Sequence, residues 1–303
     1  MRFPVERRLG LKIVTGMHRS GTSFIAQALN ELGQDFGDPC RLFPADRWNA
    51  KGYLENVDII DVNNKLILGR HAAIESWLDM PESGVMRRLS AIRSRKWKYI
   101  LFPSRQTISR RVAQQASRMR ELADTYAHTY VKDPRFCLTL HAWQEIDVVT
   151  EVVFIFRSPR AVAESIRRRE GLPLMYGLRM WRYHVDNFLR SVPPGTLVHL
   201  YNFDDFFLPD RSDAEFNRLL DAFAFAHGPT DEQAGSGRKE ALNRLKAVLD
   251  IRLRNHDGDE HVVLPASVSA SWETLRRLHA GSIGPVSWPS RLRADDSVAS
   301  GPR

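Results

Sequence analysis

Apolar residues along this chain fall into two rhythms. Runs at Leu11-Lys12-Ile13-Val14, Glu151-Val152-Val153-Phe154-Ile155-Phe156 and Leu197-Val198-His199-Leu200-Tyr201 predict strands, the second a continuous apolar run of the type buried on both faces, with a shorter strand at Thr129-Tyr130-Val131. Between them, apolar positions recur at helical spacing. That spacing predicts helices over Thr22 to Leu32, ended by Gly33, over Asn56 to Leu68 through Ile59, Ile60, Val62, Leu66 and Ile67, and over Asp213 to Ala226. Residues 85–127 read as mainly helical with a break near Pro103, and Ser158-Pro159 reads as the cap and first residue of a helix over Ala161 to Arg169. Residues 34–52 are loop-rich, 230–238 read as a polar mobile loop, and 289–303 as a flexible tail. Strands of the buried type alternating with helices predict an α/β fold: a parallel sheet flanked by helices, in a single domain over residues 1–288.

Composition narrows the class without choosing a function. With 303 residues, 43% hydrophobic and 26% charged, the chain can build a large soluble core. No apolar run approaches the ~20 residues of a membrane span, and the first residues lead into a strand rather than a signal-peptide core, so a cytoplasmic location is expected. Cys40 and Cys137 are too few for a disulfide framework and lack metal-ligand spacing; no metal is expected. Charge changes the picture locally. Between Val85 and Arg120 stand eleven basic residues and no acidic one, more than the whole net charge of +8. This basic helical insertion over 85–120 predicts either a solvated helix face or contact with an anionic partner such as an acidic glycan or a phospholipid surface. Nucleic acid is not expected, since no nucleic-acid motif accompanies it.

The candidate chemistry begins where the first strand ends. Thr15-Gly16-Met17-His18-Arg19-Ser20-Gly21-Thr22-Ser23 is a glycine-bounded loop between a strand and a helix start. Gly16 and Gly21 allow the backbone N–H groups to converge on one oxyanion, and the helix N-terminus adds positive potential. The Gly-x-x-x-x-Gly spacing is that of nucleotide P-loops, but Thr22 stands where a Walker loop has Lys, and the cation lies inside the loop as Arg19. A kinase or NTPase needs that Lys and a held Mg²⁺; an Arg within the loop suits one transferable anionic group on a 5′-phosphate.

Three further segments extend the pattern. Arg157 ends a strand and Ser165 follows eight residues later in a helix, within Phe156-Arg157-Ser158-Pro159-Arg160-Ala161-Val162-Ala163-Glu164-Ser165. Lys132 lies in Val131-Lys132-Asp133-Pro134-Arg135-Phe136, and Glu55 in Lys51-Gly52-Tyr53-Leu54-Glu55. Together with the loop, these segments resemble those of sulfotransferases that use 3′-phosphoadenosine 5′-phosphosulfate (PAPS), in their bacterial and carbohydrate-type branch. The resemblance covers roughly residues 11–226. It implies that Gly16, Arg19, Ser20, Gly21, Thr22 and Ser23 bind the 5′-phosphosulfate and that Arg157 and Ser165 bind the 3′-phosphate. It also implies that Lys132 joins Arg19 at the transferring group and that Glu55 is the catalytic carboxylate, with Asp133 orienting a neighbouring cation. His18, beside Arg19, competes with Glu55 as base, and His71 less strongly.

The family's late basic Gly-rich segment is replaced here by Gly281-Ser282-Ile283-Gly284-Pro285, which leaves the closure of the nucleotide site open. The expected activity is sulfuryl transfer from PAPS, as co-substrate, to an acceptor hydroxyl on a glycan, a glycolipid or another anionic or lipid-linked metabolite, with peripheral membrane contact. Two alternatives remain: a P-loop nucleotide kinase or phosphotransferase, and a non-catalytic anion- or glycan-binding protein on the same fold.

Overall fold

A computed structural model describes residues 10–44, 52–69, 102–146, 149–223, 231–249, 263–281 and 286–288. The apolar runs form one sheet. β1 (Leu11–Thr15) lies between β2 (Tyr130–Lys132) and β3 (Val149–Phe156), followed by β4 (Leu197–Asn202) and β5 (Val286–Ser287), in the order β2-β1-β3-β4-β5. The first four strands are parallel, with Ile13 opposite both Val131 and Val152, and Val152 opposite Val198. β5 runs antiparallel to β4, an edge the reading of a parallel sheet does not contain. Two antiparallel residues finish the sheet where another parallel strand would need a further crossover.

Side chains of alternate residues feed two cores. Ile13, Val152, Phe154 and Leu200 enter one, and Val14, Val153, Ile155 and Tyr201 the other. The first core is covered by helices that include α2 (Val57–Leu68), α3 (Arg105–Thr125), α4 (Phe136–Gln144), α5 (Pro159–Glu170), α6 (Leu174–Ser191) and α9 (Ala266–Ala280). The second is covered by α1 (Thr22–Glu31), α7 (Ser212–Phe223) and α8 (Asp231–Val248). Phe188 of α6 stacks on Phe154 with centroids 3.8 Å apart. Where α5 meets α6, a Cβ on Gly177 would stand 2.8 Å from the Ala163 backbone, so glycine sets that close approach.

The structure corrects the sequence reading in several places. Residues 231–238, expected as loop, begin α8; Leu245 and Val248 fasten its later turns to the second core, and Arg238 bonds Asp221 and Asn217 of α7. α7 is described to Phe223, and the rest of the expected helix lies outside the described residues. α5 does begin at Pro159, but the Ser158 side chain makes no capping bond; its backbone N–H donates instead to Asp204. Of the basic insertion, residues 85–101 lie outside the described residues, as do Lys51, His71 and the tail 289–303. The described part is largely occupied: Arg111 donates to the Leu66 and Ile67 carbonyls of α2, Arg118 pairs with Asp58 and Glu121, and Arg105 donates to the Arg190 carbonyl.

Candidate functional site

The carboxyl ends of β1, β2 and β3 meet around the glycine-bounded loop, the position where open α/β sheets place ligands. The Thr15 hydroxyl donates to the Asp133 carbonyl at 2.9 Å, which ties the end of β1 to that of β2. A Cβ on Gly16 would stand 2.0 Å from the Ile155 carbonyl oxygen of β3, so only glycine lets the loop pass the strand end. Gly21, at φ +93°, precedes α1, and a Cβ there would lie 2.2 Å from the Phe203 ring. α1 has no acidic residue in its first turn, which leaves its N-terminal potential uncompensated within the helix.

Within this cradle Ser20 is fully buried, and its Oγ has no hydrogen-bond partner among the described residues. An unpaired buried hydroxyl costs on the order of 1–3 kcal/mol, so an oxyanion seated in the cradle fits this atom. Arg19 adopts a left-handed backbone, φ +72°, rare for a residue with a side chain. Its Nε donates to Ser165 Oγ at 2.8 Å, so the loop after β1 and the second turn of α5 are joined at the cradle.

Lys132, the last residue of β2, has a wholly buried side chain. Its Nζ donates to Glu55 Oε1 at 2.5 Å and to Ser23 Oγ at 3.3 Å, and lies 5.8 Å from the Tyr53 ring centroid. Glu55 reaches this place through local backbone structure. Leu54 turns at φ +52°, Glu55 pairs in parallel register with Lys132, and the Asn56 side chain caps α2 by accepting from the Asp58 and Ile59 N–H groups. The sheet thereby gains one residue beside its β2 edge, the one that carries the carboxylate.

Sequence reasoning did not single out Arg135 or Asn63. Arg135 Nη1 stands 3.0 Å from Asp133 Oδ1 and 3.9 Å from Glu55 Oε2. Asn63 donates to Asp133 Oδ2 at 2.8 Å and accepts from Thr139 Oγ1 and Trp143 Nε1 at 2.8 and 2.9 Å. A signal for Asn63 existed, as a polar residue set among the apolar positions Ile59, Ile60, Val62, Leu66 and Ile67.

The eight-residue pair takes separate partners. Arg157, buried at the end of β3, has Nε 3.2 Å from Asp204 Oδ1 and its guanidinium 4.9 Å from the Phe203 ring centroid, whereas Ser165 is bonded to Arg19. Burial pushes the Arg157 pKa down, and Asp204 acts against that shift. His18 lies edge-on to His184 of α6, ring centroids 6.3 Å apart. His184 is buried, with Nδ1 2.9 Å from the Met180 carbonyl oxygen, and burial lowers its pKa to about 4, so it is neutral at pH 7. Glu55 is therefore the candidate base that sits on Lys132, and His18 is set against α6.

Two other groups of reactive type have structural explanations. Cys137 is buried beside Thr15, and burial pushes its thiol up to about 12, which keeps it protonated. Asp205, Glu215 and His279 present atoms within 4.8 Å of one another, but Arg211 stands 3.1 Å from Asp205 and Arg218 2.7 Å from Glu215. Those arginines already supply the positive charge that the carboxylates require.

No family model matches the chain, and no curated protein matches it. Among solved structures, the sulfotransferase domain from the Synechococcus PCC 7002 olefin synthase matches at 17% sequence identity and a TM-score of 0.41, over 89% of this chain and 94% of that one.

Proposed function

We propose that this protein transfers a sulfuryl group from PAPS to an acceptor hydroxyl. The observation that carries the reading is the meeting of two cations from different strand ends at one cradle, Arg19 bonded to Ser165 and Lys132 bonded to Glu55. The loop N–H groups with Ser20, Thr22 and Ser23 hold the donor's anionic end, and Arg157 takes the 3′-phosphate, shared with Asp204. The acceptor oxygen bonds to sulfur as the sulfur–oxygen bond to the 5′-phosphate breaks. The electron pair leaves on the phosphate, where Arg19 and Lys132 stabilise the growing charge, and the acceptor proton passes to Glu55.

A phosphotransferase is less well supported, because Asp133, the acid that directly follows β2, already spends its two carboxylate oxygens on Arg135 and Asn63. The acceptor is proposed to be a hydroxyl on a glycan, a glycolipid or another anionic metabolite in the cytoplasm, with the basic insertion as the element that meets it or a membrane surface. Among the described residues no helix is long and apolar enough to cross a membrane.

The test is transfer of labelled sulfate from PAPS into fractionated cell extract. Arg19→Ala is expected to lower transfer roughly 100- to 1,000-fold, the usual cost of removing one transition-state donor. Tight, Mg²⁺-dependent ATP binding with no binding of the desulfated nucleotide, 3′-phosphoadenosine 5′-phosphate, would overturn the reading.

A further inference from the structure

Glu55 has a cation on each side: Lys132 is hydrogen-bonded to Oε1, and Arg135 Nη1 stands 3.9 Å from Oε2, within ion-pair reach but beyond hydrogen-bond distance. Lys132 Nζ donates to Oε1 at 2.5 Å and also to Ser23 Oγ at 3.3 Å, on the first turn of the cradle helix. An anion in the cradle therefore competes with Glu55 for this ammonium. Arg135 is engaged elsewhere. Asp133 Oδ1 accepts from its Nη1 at 3.0 Å and from its backbone N–H at 2.9 Å, while Oδ2 accepts from Asn63 at 2.8 Å. Asn63 is fixed in turn by Thr139 and Trp143. Asp133, Asn63, Thr139 and Trp143 are all fully buried, and a buried polar chain whose members are bonded to one another favours a single arrangement. The buried Asp133 charge also keeps its guanidinium partner, since an unpaired charge there would be costly.

We propose that Arg135 is a positioning residue for Glu55, anchored through Asp133 to Asn63 and keeping the carboxylate in place while the donor's anion draws Lys132 off Oε1. The inference rests on the sulfuryl-transfer reading above, with Glu55 as base. Seating the donor then does two things at once. It gives Lys132 to the leaving phosphate, and it frees Oε1 to accept the proton of the acceptor hydroxyl, while Oε2 stays beside Arg135. Without Arg135 the carboxylate would lose its second hold at the moment its first is withdrawn. Misplacing a reacting group by about 1 Å can cost ~100-fold in rate.

The experiment compares the parent with Arg135→Met and Arg135→Lys. It measures affinity for 3′-phosphoadenosine 5′-phosphate by calorimetry, and the single-turnover rate of labelled sulfate transfer from PAPS to the accepting extract fraction. Arg135→Met is expected to bind the nucleotide within about twofold of the parent and to transfer roughly 10- to 100-fold more slowly. Arg135→Lys keeps the charge that balances Asp133 and is expected to fall between the two. If Arg135→Met does not fold, Arg135→Lys decides alone. A folded variant that transfers at the parent rate overturns the proposal, as does a loss of nucleotide affinity equal to the loss of rate, which would make Arg135 a donor ligand. A parent that neither binds the nucleotide nor transfers sulfate overturns the sulfuryl-transfer reading itself, and this inference with it.

Discussion

Burial of one titratable ring gives the residue scale its clearest consequence. His184 has its pKa lowered to about 4 in the folded chain, against an ordinary value of 6.5. Between those values the unfolded chain takes up a proton that the folded chain does not, so stability falls as pH drops from about 6.5 towards 4. The gap corresponds to roughly 3 kcal/mol. His184→Asn, which keeps an N–H for the Met180 carbonyl, is expected to remove that share of the acid sensitivity. Urea unfolding at pH 7 and pH 4.5 checks it: parallel losses in parent and variant would refute the assignment. At this scale the strand–loop–helix turn was readable in advance, because Gly16 and Gly21 shape it through backbone and spacing within one short segment. The contacts of Arg135 with Glu55 and of Asn63 with Asp133 were not, since they join segments that meet only in the fold.

Between α2 and α3, a basic residue that reads as part of a surface charge run proves to be a cap. Arg111 Nη1 donates to the Leu66 and Ile67 carbonyls at 2.8 and 2.6 Å, closing the last turn of α2, the helix whose first turn follows Glu55. Arg111→Ala is expected to cost about 1–2 kcal/mol in denaturant unfolding. The neighbouring Arg110 is exposed, and Arg110→Ala is expected to stay within ~0.5 kcal/mol. Equal effects would mean that the carbonyl bonds contribute nothing. β1, β3, β4, α1 and α2 were legible because they follow apolar periodicity, and α5 because Pro159 marks its start, whereas the sequence reading names no helix over α4, α6 or α9. α8 was misread because Gly235 and Gly237 suggest a loop, whereas burial of Leu245 and Val248 outweighs about 1 kcal/mol of glycine penalty per residue.

For the molecule as a whole, the proposed ligand spans elements distant in sequence, and its binding should register as global stability. At a hundredfold excess over its Kd, 3′-phosphoadenosine 5′-phosphate should add about 2.7 kcal/mol, a rise in Tm of roughly 5 °C for a chain of this size. ATP with Mg²⁺ should not match it, and Arg157→Met should lose most of the rise. An unchanged Tm with the nucleotide, under conditions where calorimetry also detects no binding, would remove the basis for a two-ended nucleotide site.

The amino-acid sequence alone determined the α/β class, the strand–loop–helix cradle and the residue types of the candidate site, because periodicity, glycine spacing and strand ends are local properties of a chain. The tertiary structure decided which of those residues touch. It gave Ser165 to Arg19 and Arg157 to Asp204, and it set Glu55 between Lys132 and Arg135. Such pairings depend on sheet order and register. The parallel alignment of β1 with β2 and β3, and the single added pair at Glu55, place side chains from remote segments within hydrogen-bond reach, and no local pattern records that distance.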